Sequence, residues 1–223
     1  MTSVTATRYL ILLGAPGAGK GTQAAALTKL LELPHLASGD VFRAVREEES
    51  DLGELVRSYY DKGLLVPDDI TNRVMLSVLS RDEYVRGAMI DGFPRTIEQA
   101  RALDGDLEQS GKSVWKVIYI RVAEGELIRR ISGRWLCPGC NAVYHAVNKP
   151  PRTAGTCDSC GGELYQRVDD TAETARTRLA TFFRQTKPLL GYYRPQGKLC
   201  EVDGEQTVEA VAHSIAACVE ARR

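Results

Sequence analysis

The stretch Gly14-Ala15-Pro16-Gly17-Ala18-Gly19-Lys20-Gly21-Thr22 decides how the rest of the chain is read. It follows the apolar run Tyr9-Leu10-Ile11-Leu12-Leu13 and precedes an alternation of small and apolar residues from Gln23 to Leu31. A buried strand, a glycine turn and the opening of a helix are the context in which a phosphate-binding loop has meaning. Glycines let the backbone curl until several N–H groups point at one centre. The helix that follows adds the positive end of its dipole, and a lysine adds a point charge, here Lys20. An ordinary strand-to-helix turn is the plainer reading, and four glycines with a lysine at this spacing count against it. The general pattern G-x-x-x-x-G-K-[ST] sets a hydroxyl directly after the lysine. Here Gly21 holds that position and Thr22 comes one later.

At 223 residues the chain is long enough for one mid-sized domain, or for a core with small inserts. Lysine plus arginine is 29 and aspartate plus glutamate is 29, a balance that counts against a dedicated nucleic-acid binder. Most of the positive charge is arginine, which suits bidentate phosphate contacts, although a biased genomic composition produces the same excess. The five-residue apolar run leads into the glycine loop rather than a cleavage site, and no stretch approaches membrane-spanning length. A cytoplasmic protein is expected, with no membrane or nucleic-acid partner, and nothing in the sequence demands more than a monomer.

Further along, Leu33-Pro34 ends the first helix and His35-Leu36-Ala37 is a short strand candidate. In Ser38-Gly39-Asp40-Val41-Phe42-Arg43, Ser38 can cap the next helix and Asp40 complements its dipole. Arg43 opposes that dipole unless something anionic faces it; a phosphate or plain solvent would each account for it. Helices are expected over Leu52–Lys62 and Asp68–Ser80, joined by a connector containing Leu65 and Val66, whose apolar faces and free backbone groups suit a flat base. Ala88-Met89-Ile90-Asp91 reads as a buried strand ending in a carboxylate, and Gly92-Phe93-Pro94-Arg95-Thr96 follows it. An acidic residue at a strand's C-terminal edge near a phosphate loop is where nucleotide-binding sheets hold hydrated Mg²⁺. Locally, Gln99 is one more exposed helix glutamine. A strand is expected over Val114–Val122 and a helix over Glu124–Arg134, the latter carrying Arg129, Arg130 and Arg134. A long helix should run from about Thr171 to Tyr193, then a strand over Lys198–Val202 and a last helix over Thr207–Ala221.

Four of the 6 cysteines form two C-x-x-C pairs, Cys137/Cys140 and Cys157/Cys160, with sixteen residues between them. Each pair in a tight turn brings both thiolates to one side, and two pairs complete a tetrahedron, so the spacing reads as zinc. The intervening Asn141–Thr156 is poor in large apolar residues and contains Pro150-Pro151, so a metal must supply its folding energy. Four thiolates leave no open position, and the zinc is read as structural. Cys200 and Cys218 fall outside the pattern and are read as buried small apolar residues.

The variant glycine loop, the string Asp91 to Thr96 and the two cysteine pairs resemble the adenylate kinases, in particular the long bacterial type with a zinc-bearing lid. The likeness continues through Val143-Tyr144-His145, Gly161-Gly162-Glu163-Leu164, Arg167-Val168-Asp169-Asp170 and Thr174–Leu179, and runs from about Tyr9 to the C-terminus. Ser38 stands where the family more often has threonine, and Asn141 where zinc-bearing members usually have glycine. The resemblance implies an α/β fold: a P-loop parallel sheet flanked by helices, with a helical acceptor-binding insert and a small zinc-bound β lid. The core would be 1–36, 67–132 and 171–223, the insert 37–66 and the lid 133–170.

By the same resemblance Gly14, Ala15, Gly17, Ala18, Gly19, Lys20, Gly21 and Thr22 hold the donor's phosphates, with Arg130, Arg134, Val143 and Tyr144 also on the donor nucleotide. Ser38, Gly39, Arg43, Leu65, Val66, Gly92, Arg95, Gln99, Arg167 and Arg178 bind the acceptor substrate, Gln99 at its adenine. Arg134, Arg167 and Arg178 clamp the transferring group, and Asp169 and Asp170 contact the lid strands or the nucleotide. The implied reaction is Mg·ATP + AMP ⇌ 2 ADP, with Lys20, Arg95, Arg134, Arg167, Arg178 and Asp91 as its catalytic set. A sister kinase with another acceptor or donor, and a nucleotide-gated regulator using its zinc ribbon to hold a partner, are the alternatives.

Overall fold

The structure, a computed structural model, describes residues 7–62, 64–140, 142–167, 170 and 172–220. The expectations that fall on Asn141, Val168, Asp169 and Thr171 lie outside the described residues. Strand β1 (Arg8–Leu13) leads through the glycine loop into α1 (Lys20–Leu31). Then come β2 (His35–Ala37), α2 (Ser38–Arg46), α3 (Asp51–Tyr60), α4 (Asp68–Leu79), β3 (Gly87–Asp91) and α5 (Ile97–Gln109). After β4 (Val114–Arg121) and α6 (Glu124–Ser132), the short strands β5 (Arg134–Leu136) and β6 (Val143–His145) form a separate antiparallel pair. The chain closes with α7 (Ala172–Thr181), a wide turn at Phe182–Thr186, α8 (Leu189–Tyr193), β7 (Leu199–Asp203) and α9 (Val208–Glu220).

Five parallel strands lie in the order β2-β3-β1-β4-β7, flanked by helices. Tyr9 to Leu13 are all buried, which is why β1 reads as an unbroken apolar run rather than an alternating one. The register sets the working edge of the sheet. Leu12 and Ala37 both pair with Asp91, so the glycine loop, the start of α2 and the Asp91 carboxylate leave the sheet at the same C-terminal edge.

Several expected boundaries differ. The helix expected to reach Arg134 ends at Ser132, and Arg134 opens the small sheet instead. Gly133 makes that turn possible. A Cβ there would lie 2.4 Å from His145 Nε2, and the Gly133 carbonyl accepts from the Ala146 amide at 2.8 Å. The long helix expected up to Tyr193 is broken: it widens at Phe182–Thr186, where the Lys187 amide donates to the Phe182 carbonyl five residues back. Pro188 has no amide hydrogen to continue the ladder, and the chain restarts as α8. Ser38 does not cap α2; Ala37 is the capping position and Ser38 is the first, buried helical residue. Cys200 in β7 and Cys218 in α9 are neither fully buried nor free, as they form a disulfide with Cα atoms 6.2 Å apart. Their juxtaposition comes from a helix returning to an edge strand, which spacing alone does not reveal.

Candidate active site

The glycine loop caps the end of β1. Gly17 and Gly19 take positive φ (83° and 91°), and the Ala18 amide donates to the Ala15 carbonyl at 3.0 Å, which curls the loop. No side chain caps the first turn of α1. Its amides and dipole therefore face the concavity, which is the arrangement that receives a phosphate. Lys20 folds back over the loop, its Nζ donating to the carbonyls of Gly14 (2.9 Å) and Ala15 (3.2 Å) and lying 4.0 Å from Asp91 Oδ1. Gly21 and Thr22 are exposed on the same first turn.

Burial pushes the Lys20 ammonium below its usual pKa; Asp91 opposes that fall, while Arg95, Arg178 and Arg134 add to it. The three arginines therefore lie near enough for Lys20 to feel each of them. Burial alone would raise Asp91, but Lys20, then His35 and Arg95, outweigh it and hold the carboxyl below the ordinary carboxylate value. His35 Nε2 stands 3.8 Å from Asp91 Oδ2. A carboxylate kept ionised beside a phosphate loop has the chemistry to hold a hydrated divalent cation.

Arg95 is fixed from three sides. Its Nε donates to the Gly92 carbonyl at 2.6 Å, its Nη2 to Ser38 Oγ at 3.4 Å, and its backbone amide to Gln99 Oε1 at 2.7 Å. A Cβ at Gly92 (φ 79°) would lie 2.5 Å from Ser38 Oγ and 3.0 Å from Arg95 Nη2, so glycine is required where these elements meet. Gln99 is buried rather than exposed, which corrects the local reading of it; its Nε2 donates to Asp68 Oδ1 at 2.7 Å. Thr96 Oγ1 donates to the other oxygen of Asp68 at 2.8 Å. In the connector, Val66 is buried and its carbonyl accepts from Thr71 Oγ1 at 3.1 Å, so it is not the free backbone group expected.

Two further clusters complete the site. Asp170 is buried and accepts from Arg134 Nε at 2.8 Å and from Arg178 Nη1 at 3.4 Å. The Tyr60 hydroxyl accepts from Arg43 Nη1 at 3.1 Å and from Arg167 Nη2 at 2.8 Å. Arg43 also pairs with Asp40 of its own helix, and Gly39 leaves room for that guanidinium. Arg130 stands apart, bonding Glu126 Oε1 (2.7 Å) and the Gly204 carbonyl (3.0 Å).

The four cysteine sulfurs all lie within 4.8 Å of one another, with Cys137 to Cys160 at 3.3 Å and Cys140 to Cys157 at 3.5 Å. Tetrahedral thiolate ligation of zinc sets sulfurs about 3.8 Å apart, so the residues fit a four-thiolate metal site. Val143 pairs with Leu136 in the small sheet. The Tyr144 side chain turns into the cysteine cluster, with its hydroxyl 3.5 Å from Cys157 Sγ while it accepts from the Asp158 amide at 2.7 Å.

A family model described as adenylate kinase matches residues 12–198. The chain belongs to the adenylate kinase family. It is 47% identical over 199 residues to an adenylate kinase of Caldicellulosiruptor bescii, covering 89% of this chain and 93% of that protein. It is 47% identical over 211 residues to one of Dehalococcoides mccartyi (95% and 97%) and 46% identical over 202 residues to one of Brevibacillus brevis (91% and 94%). Of the residues expected to act together, Lys20, Asp91, Arg95, Ser38, Gly92 and Gln99 meet directly or through one partner. His35, Tyr60 and Asp68 were not singled out. His35 and Asp68 read locally as a strand residue and a helix-start acid, and no local pattern marks Tyr60.

Proposed function

We propose that this member of the adenylate kinase family transfers the γ-phosphoryl group of Mg·ATP to AMP, giving two ADP, with 37–66 as the acceptor insert, 133–170 as the lid and the remainder as the core. An oxygen of the AMP phosphate attacks the γ-phosphorus, the bond from that phosphorus to the β–γ bridging oxygen breaks, and its electrons stay on the departing ADP. The second pKa of a phosphate monoester is near 6, so the attacking oxygen is ionised at neutral pH and needs no general base. What remains is alignment and charge neutralisation. The loop from Gly14 to Thr22 and Lys20 hold the donor phosphates, with Arg130 and the Val143–Tyr144 backbone on the donor nucleotide. Ser38, Gly39, Arg43, Gly92 and Arg95 receive the acceptor phosphate, and Leu65, Val66 and Gln99 face its base. Arg134, Arg167 and Arg178 gather charge on the transferring group.

Mg²⁺ arriving with ATP would neutralise phosphate charge, and Asp91 would hold its waters. Zinc on Cys137, Cys140, Cys157 and Cys160 would supply folding energy to the lid and no chemistry, because four thiolates leave no open position. We place the enzyme in the cytoplasm as a monomer without nucleic-acid or membrane partners. No described helix is long and apolar enough to cross a membrane, and the net charge is zero.

The observation that carries the reading is the convergence of Lys20, Arg95, Arg134 and Arg178 around Asp91 and Asp170 at the C-terminal sheet edge of a chain in this family. The test is phosphorus NMR of purified protein with Mg·ATP and each nucleoside monophosphate in turn. ADP formed with AMP is expected. Preference for UMP or CMP would overturn the role given to Gln99, and no transfer from a folded, ATP-binding protein would overturn the enzyme reading.

A further inference from the structure

Tyr60 ends α3, its ring half-buried against the main core. Packing explains the ring, and a phenylalanine would serve it equally. The hydroxyl needs another reason, because it reaches out of the core to two guanidinium groups, Arg43 of the acceptor insert and Arg167 of the lid's return, the latter 107 residues away in sequence. A third arginine, Arg46, lies over the same ring at 5.7 Å from its centroid and pairs with Asp61 at 3.2 Å. Arg95 is near enough to be influenced by both Tyr60 and Arg167.

We infer that Tyr60 is a positioning residue: its hydroxyl bridges the acceptor insert to the lid and holds Arg43 and Arg167 together where the acceptor phosphate binds. The inference rests on the phosphoryl-transfer reading above. Two guanidinium groups repel each other, and an oxygen accepting from both keeps them side by side. That this oxygen is neutral matters. Asp170 ties Arg134 and Arg178 with a charged carboxylate, which holds cations firmly but cancels their charge. The phenol oxygen adds no charge of its own to that of the forks, Arg43 being already paired with Asp40, and its O–H proton can turn to the incoming phosphate. Arg43 and Arg167 then meet the acceptor pre-oriented, and part of the ordering cost of binding is already met.

Tyr60→Phe keeps the ring and removes only the bridge. The expected result is a rise of about fivefold to tenfold in KM for AMP, the loss of one to two hydrogen bonds to charged donors. KM for ATP and the melting midpoint should stay unchanged, and kcat should fall by about twofold to fivefold, because Arg167 also serves the transferring group and is loosened, not removed. Non-canonical spin labels at the exposed positions Glu54 and Asn148 should report longer insert-to-lid distances in substrate-free Tyr60→Phe than in the parent. An unchanged AMP KM, or an unchanged distance distribution, overturns the inference. So does a KM rise matched for ATP or accompanied by a lower melting midpoint, since that is the signature of a packing defect. Failure of the reaction itself would be seen separately, as no ADP made from AMP by the parent protein, whereas the distances are read without substrate.

Discussion

In the proposed reading the acceptor insert and the lid bring arginines to one phosphate site, yet different physics holds each of them. The insert is built from apolar burial: Phe42, Val45, Val56 and Val66 sink into the same core as the central sheet, and α2 packs against α3. The lid has its own small cluster of Cys137, Tyr144, Cys157 and Leu164, with Trp135 and Ala142 against it. Two of its four buried members are cysteines of the candidate metal site, so half of this buried cluster is made of proposed ligands. Where the chain has enough apolar side chains, burial positions Arg43. Where it has few, the proposed metal on four thiolates would order the strands that place Arg134 and the return that places Arg167. The partners of these arginines differ too: Arg43 meets a phenol beside its own Asp40, while Arg134 meets the buried Asp170 carboxylate.

Ordered by their effect on turnover, four substitutions would sharpen or break this comparison. Asp91 belongs to neither unit and is the control. Asp91→Asn should lower kcat by about 10²- to 10³-fold and blunt the Mg²⁺ dependence, the scale of losing one preorganised charge from a transfer site. Normal turnover with normal Mg²⁺ response would remove its proposed role. Its pH signature has a definite sign. Because the folded pKa lies below the ordinary value of 3.8, the ionised carboxylate stabilises the fold above that value, and the contribution is lost only as pH falls through the lower folded pKa. The gap in melting midpoint between parent and Asp91→Asn should be constant from pH 7 to 5 and narrow below about pH 4.

Next in size, Asp170→Asn should cost about 10²-fold in kcat, because Arg134 and Arg178 lose their shared anchor and an ångström of misplacement carries that penalty. Steady-state kinetics showing a change in KM alone would mean that Asp170 serves binding rather than alignment. Replacing Cys157 and Cys160 together by serine should reduce turnover about tenfold, since lid closure excludes water and completes the arginine set. Hydrogen exchange should then rise across the small β5–β6 sheet while α2 and α3 stay protected. Loosening of both units together, or complete inactivity in a folded protein, would collapse the distinction between them. Smallest on turnover is the Cys200–Cys218 disulfide, which lies on the core, away from both units. Cys200→Ser with Cys218→Ser should leave kcat unchanged. Closing 18 residues is worth about 3 kcal/mol, so under non-reducing conditions the melting midpoint should fall by about 6–12 °C.

The phosphate loop and the four-cysteine site are local patterns, and both were legible because their chemistry is written in spacing within one turn or one knuckle. Gln99 was not: a helix glutamine is exposed on average, and its burial follows from α4 bringing Asp68 against the start of α5. The end of the helix at Ser132 was likewise misplaced, because the signal is the approach of the His145 ring to Gly133 across the small sheet. Asp170 reads locally as a helix-start acid, and its role as an anchor depends on Arg134, 36 residues earlier.

By itself the sequence determined the strand–glycine loop–helix, the alternation of strands and helices and the two C-x-x-C pairs, since periodicity and short spacing are enough for each, and the resemblance of its motifs supplied the family. Only the tertiary structure decided which oxygen holds which arginine, that Cys200 and Cys218 are joined, and that Tyr60 stands between the insert and the lid. The reason is physical. A contact between residues 60 and 167 leaves no trace in either local stretch, because it is set by where parallel crossovers deliver the ends of strands and helices, and that placement is a property of the packed core.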